Sequence, residues 1–75
     1  MIYSFFDEIY KRNYNFEFGL NYVDIGCSYN IGVQYYMKYN RYTIINKQIR
    51  WYQDGSLTNA AKNYIEKHLQ LLTFV

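Results

Sequence analysis

The run Tyr14-Asn15-Phe16-Glu17-Phe18-Gly19-Leu20-Asn21-Tyr22-Val23-Asp24-Ile25-Gly26-Cys27 decides the fold. In its first part, Tyr14, Phe16, Phe18, Leu20 and Tyr22 alternate with Asn15, Glu17, Gly19 and Asn21. A two-residue period with one apolar side is the pattern of a half-buried strand. The parity then flips, and Val23, Ile25 and Cys27 are odd-numbered. A flip by one residue reverses which side chains face the core, so a turn or bulge is predicted near Asn21–Asp24.

The odd parity continues through Tyr29, Ile31, Val33, Tyr35, Met37 and Tyr39. Seventeen residues is long for one strand. Ser28-Tyr29-Asn30 has turn chemistry, which predicts strands near 23–27 and 31–38; a single bent strand is the alternative. Tyr39-Asn40-Arg41 reads as the next turn. Residues 42–52 are rich in strand formers, with Ile45, Ile49 and Trp51 on one parity. Lys47 lies between them, so either the strand leaves the core there or Asn46-Lys47 turns the chain. Asp54-Gly55 closes the strand block.

On either side of this block the period is 3.6. Ile2, Phe5, Phe6, Ile9 and Tyr10 form one helical stripe, and a short helix is predicted over 4–12. Ser4 is its N-cap, Asp7 lies in the first turn and Asn13 is the stop. Leu57, Ala61, Tyr64, Ile65, His68, Leu69 and Leu72 form a longer stripe, capped by Ser56 or Thr58. Thr73-Phe74-Val75 is either a frayed tail or a means of pinning Phe74 to the core. The expected fold is α+β: an antiparallel sheet of three or four strands, with a short N-terminal and a longer C-terminal helix on one face. The 75 residues make one domain, 1–75, with a thin core.

Composition excludes several classes. Proline is absent, and one cysteine, Cys27, rules out an internal disulfide framework and a cysteine-based zinc site. Apolar runs are too short to span a bilayer. The N-terminus lacks the basic leader and apolar run of an export signal, so a cytoplasmic location is expected. The net charge of +2 is unevenly spread. Residues 25–53 hold Lys38, Arg41, Lys47 and Arg50 and no acid. That pattern suits either edge protection of a small sheet or a docking face for an acidic or nucleic-acid surface.

Catalytic chemistry has few candidates. His68, the only histidine, sits on the apolar stripe between Ile65 and Leu72 and reads as a core-edge imidazole bonded to a carbonyl or a Tyr hydroxyl. Cys27 reads as a small buried hydrophobe. A Cys27–His68 dyad is the alternative, since such pairs meet only in the folded chain. The six carboxylates, Asp7, Glu8, Glu17, Asp24, Asp54 and Glu66, each fit a solvated position. No phosphate-binding or dinucleotide glycine pattern occurs, and neither a cofactor nor a metal is expected. Gly26 and Gly32 fall on the outward parity, where glycine relieves twist at a bulge or leaves a flat spot for a partner's backbone or an aromatic.

Aromatic and basic residues remain. Tyr36, Lys38, Arg50 and Tyr52 fall on the outward parity, with Tyr42 close by and Arg41 at a turn. Tyr36, Lys38, Arg41, Tyr42, Arg50 and Tyr52 are therefore the candidate binding residues. Tyr and Arg are enriched in protein interfaces, and aromatics flanked by cations also stack bases and hold phosphates. Asn, Tyr, Ile and Lys make up 32 of the 75 residues. All four have A+T-rich codons, so tyrosine position carries more weight than tyrosine number.

The size, this bias, the strand block 14–52 and the segment Leu57-Thr58-Asn59-Ala60-Ala61-Lys62-Asn63-Tyr64-Ile65 together resemble the small orphan proteins of phages and prophages, among them anti-CRISPR inhibitors. The resemblance implies a non-enzymatic, phage-encoded protein in the host cytoplasm. Such a protein would occlude a host protein or ribonucleoprotein complex that serves in defence. It assigns no residue. A small nucleic-acid-binding accessory domain using the same face is the alternative. Self-association, as a homodimer, is expected from a thin core and an open sheet face or edge.

Overall fold

A computed structural model describes residues 2–52 and 57–71. Five strands follow one another: β1 (Tyr3–Asp7), β2 (Arg12–Phe18), β3 (Tyr22–Ile31), β4 (Gln34–Ile45) and β5 (Gln48–Ile49). They pair antiparallel in chain order, and one helix, α1 (Asn59–Leu71), follows them. The expected C-terminal helix is present. The expected N-terminal helix is not, and the sheet has five strands rather than three or four.

Residues 4–12 form the end of β1, a turn and the start of β2. Tyr3, Phe5 and Asp7 pair with Phe16, Tyr14 and Arg12. Of the supposed helical stripe only Phe5 packs against the core; Phe6, Ile9 and Tyr10 are exposed. A nine-residue helix is marginal by itself, whereas residues 4–7 gain a ladder of strand hydrogen bonds from β2. Asp7 shapes the reversal. Its Oδ1 accepts the N–H groups of Ile9 (3.0 Å) and Tyr10 (3.2 Å), and Lys11 closes the turn at φ 54°.

The parity flips as expected, but the turn lies between Phe18 and Tyr22, ahead of the expected Asn21–Asp24. The flip comes from a tight turn in which the Gly19 N–H donates to the Tyr22 carbonyl at 2.8 Å. Leu20, assigned above to the apolar face of a strand, is fully exposed at that turn.

The stretch 23–39 holds a different reversal from the expected one. Ser28-Tyr29-Asn30 continues β3, and Tyr39-Asn40-Arg41 lies within β4. The chain turns at Gly32-Val33, between the paired residues Ile31 and Gln34. Gly32 takes φ +62°, as the first central residue of a two-residue hairpin of this hand requires. The next hairpin turns at Asn46 and Lys47, at φ 52° and 62°, so the turn reading of those residues holds.

The core lies between the sheet and α1. Tyr14, Phe16, Val23, Ile25, Cys27 and Tyr42 point to it from the strands, and Ala61, Ile65 and Leu69 from one side of the helix. Thr58 caps α1, accepting the Ala61 N–H on Oγ1 at 3.2 Å. Its hydroxyl donates to Asp7 Oδ2 at 2.6 Å, and its N–H donates to the Tyr14 hydroxyl at 3.3 Å. The helix start is thus tied to the β1–β2 hairpin. Asp54-Gly55, the cap candidate Ser56, Leu72 and Phe74 lie outside the described residues.

Candidate binding face

A two-residue turn places Ile31 opposite Gln34, so these two side chains share a face. Inward residues are odd-numbered on β3 and even-numbered on β4. In register, Val23, Ile25, Cys27 and Tyr29 meet Tyr42, Asn40, Lys38 and Tyr36. Tyr36 and Lys38 therefore stand on the helix side of the sheet, not on the outward side. Tyr35, Met37, Tyr39 and Arg41 stand on the other side, together with Asp24 and Gly26.

The six candidate residues consequently do not form one patch. Tyr42 is fully buried, between Trp51 (ring centroids 5.0 Å apart) and Tyr52 (4.5 Å). Tyr52 is half-exposed, and its hydroxyl donates to the Arg41 carbonyl at 3.2 Å. Tyr36 stacks on Tyr29 at 5.3 Å and donates a hydrogen bond to Gln34 Oε1. Lys38 and Arg50 are exposed at separate places, Arg50 just beyond β5. Of the four candidates on β4, Tyr36, Lys38, Arg41 and Tyr42, only Arg41 belongs to the open face.

On that face Arg41 is already engaged. Its Nε and Nη2 donate to Asp24 Oδ1 (2.7 Å) and Oδ2 (3.0 Å), and its guanidinium lies 3.9 Å from the Tyr22 ring centroid. The hydrogen bonds from Arg41 hold the Asp24 carboxyl below the usual carboxylate range. The acid-free stretch 25–53 thus loses its excess charge at this point to an acid from the preceding segment. The pair is largely exposed and adds little stability, but it fixes a planar, charge-neutral rim.

Beside it lies the flat spot at Gly26. This glycine is buried because the Tyr39 ring rests on it; a Cβ built there would come within 2.7 Å of a Tyr39 ring carbon. Tyr39 still exposes 69% of its surface, so the ring is supported from beneath and open above. An open depression of about 410 Å³ adjoins it, lined by Ile2, Asn15, Glu17, Gly26, Tyr39 and Arg41. Further along β4 stand Met37 and Tyr35, 54% and 62% exposed, and Val33 is bare at the tip. The odd parity of residues 31–39 had assigned these side chains to the core. Reading Gly32-Val33 as the hairpin turn was the one sequence signal that would have turned them outward.

His68 behaves as a core-edge imidazole. Its Nδ1 lies 3.3 Å from the Tyr64 carbonyl, and its ring packs against Tyr3, Phe16 and Tyr64. Cys27 is buried on the central strand, in register with Tyr14 and Lys38. Among the described residues, no group of three His, Cys, Asp or Glu side chains could hold a metal ion, and no helix is long and apolar enough to cross a membrane.

Comparison with protein-family models, with curated proteins and with solved structures gave no match.

Proposed function

We propose that the chain is a non-enzymatic binding protein that docks the open side of its sheet on a host protein or ribonucleoprotein complex and occludes it. One observation carries the reading: Tyr35, Met37 and Tyr39 form an exposed row ending on the Gly26 shelf and the Arg41–Asp24 rim. A small domain rarely leaves such a row in water unless something covers it. Tyrosines supply large contact area at low entropic cost, and a pre-supported ring loses less freedom on docking. Inhibition of a host defence complex, as in phage-encoded inhibitors, is the biological form of this activity.

The cations supply no continuous basic strip. Lys38 stands on the helix side, and Arg41 is neutralised by Asp24. Docking should therefore survive moderate salt, where binding driven by phosphate contacts would collapse.

Binding to a purified partner, first identified by capture from the native host, tests the proposal. Tyr39→Ala should weaken it at least tenfold, about 1.4 kcal/mol or more. Gly26→Val should weaken it too, because a branched side chain lifts Tyr39 off its shelf without deleting the ring. Lys67→Ala, on the exposed side of α1, should change nothing. If both shelf variants bind like the parent protein, this face is not the contact surface and the proposal falls.

A further inference from the structure

Among the described residues, the lateral edge of β4 is open. The strand runs over twelve residues, Gln34–Ile45, yet β5 pairs only with Ile44 and Ile45. Two hydrogen bonds reveal which backbone groups point to that edge. The Thr43 carbonyl accepts from the Arg50 N–H at 2.8 Å, so it faces away from β3. The Ile44 N–H donates to the Asn21 carbonyl at 2.8 Å, so it faces the other way. Odd-numbered residues of β4 therefore direct N–H and C=O outward, as the two-residue turn at Gly32-Val33 also requires. The Arg41 carbonyl is taken by the Tyr52 hydroxyl. Among the described residues, the outward groups of Tyr35, Met37 and Tyr39 have no partner.

Proteins usually blunt such an edge with proline, an inward charge or a bulge. Here the edge is flanked by Tyr35, Tyr36, Met37 and Tyr39, and Lys38 is the only charge between Gln34 and Asn40. We propose that a second copy of this chain occupies the edge, its β4 running antiparallel to the first about a two-fold axis at Met37.

Charge favours this register over the one centred on Lys38. With Met37 opposite Met37 of the second copy, Tyr35 meets Tyr39 and each of these pairs exchanges two backbone hydrogen bonds. On the helix side Lys38 meets Tyr36, a cation beside an aromatic ring. Moving the axis by one residue, to Lys38, sets two lysines directly opposite each other, which is unfavourable. That shift also leaves Lys38 and Tyr36 without their cross-strand matches. Self-pairing at Met37 thus combines aromatic pairs on the open face with no like-charge contact. The two sheets become one, and the exposed rows of both copies lie side by side. The inference is independent of any outside partner, since it uses the edge backbone rather than the open face.

Light scattering over a dilution series tests the assembly. The full-length chain should show twice its monomer mass and dissociate on dilution. Met37→Pro removes an outward N–H and no bond to β3, and an edge strand accommodates proline. It should weaken the dimer at least tenfold while circular dichroism stays unchanged. Met37→Lys places like charges on the axis and should do the same by another route, which covers the case that the proline variant fails to fold. Met37→Cys should form an intermolecular disulfide on mild oxidation, since paired Cα atoms about 5.5 Å apart lie within bridging range. Tyr35→Cys, displaced from its own copy, should not. A monomer at every concentration, a dimer indifferent to both Met37→Pro and Met37→Lys, or crosslinking at residue 35 in place of 37 would each overturn the inference.

Discussion

Phe16→Ala should remove about 3–5 kcal/mol of stability, enough to unfold much of the population at 37 °C. A 75-residue chain holds only about 4–11 kcal/mol in total. Phe16 is 1% exposed and touches rings from every element that closes the core at that end. Tyr3 stacks on it at 5.4 Å; Phe18, Tyr64 and His68 meet it edge-on at 5.7, 5.9 and 5.3 Å. Deleting the ring leaves a cavity between β1, β2 and α1 that its four ring neighbours cannot fill. Urea unfolding followed by circular dichroism reads the loss. A change below about 1 kcal/mol would mean that α1 does not pack on β2 as described.

The second large effect is electrostatic. Asp7 is 3% exposed, and its carboxylate joins the β1–β2 turn to the start of α1 through Ile9, Tyr10 and Thr58. The hydrogen bond from Thr58 does most to hold its carboxyl below the ordinary range, burial opposing it, with the N–H groups of Tyr10 and Ile9 and the charge of Arg12 assisting. A folded value below the unfolded one stabilises the protein at pH above about 4, and that contribution fades as pH falls through the folded value. Asp7→Ala should therefore cost about 2–3 kcal/mol at neutral pH, since it leaves buried donors unmatched. The melting temperature should fall by roughly 10–20 °C. The stability difference between parent and variant should shrink as the solution is made acidic. A difference that stays constant between pH 7 and pH 2 would show that the charge of Asp7 contributes nothing.

These two residues mark the limits of what the sequence discloses. Phe16 was readable: strict alternation over 14–18 leaves one apolar side, and burial follows. Helix α1 was readable for the same reason, with Ala61, Ile65 and Leu69 recurring at four-residue intervals. Asp7 was not, because its strongest partner is 51 residues away at Thr58. Without that partner, Ile2, Phe5, Phe6, Ile9 and Tyr10 satisfy a helical period, and only pairing with β2 decides for a strand. The face of residues 34–41 failed on one turn. Gly32-Val33 reverses the parity, so Tyr36 and Lys38 exchanged sides with Tyr35, Met37 and Tyr39. Arg41 was read as a turn residue and is instead an outward strand residue, because Tyr39-Asn40-Arg41 lies within β4. The burial of Tyr42 follows from its register with Val23, which no local pattern encodes.

The chain-order meander has a bearing on how this molecule is born. Each strand finds its mate in the segment just made, so every hairpin can close over a short span while synthesis continues. Helix α1 is different: it must travel back to β1 and β2, which are made before the other three strands. Until α1 leaves the ribosome, the nascent sheet carries Phe16, Val23 and Ile25 without a roof, and the closing of that lid waits for the helix.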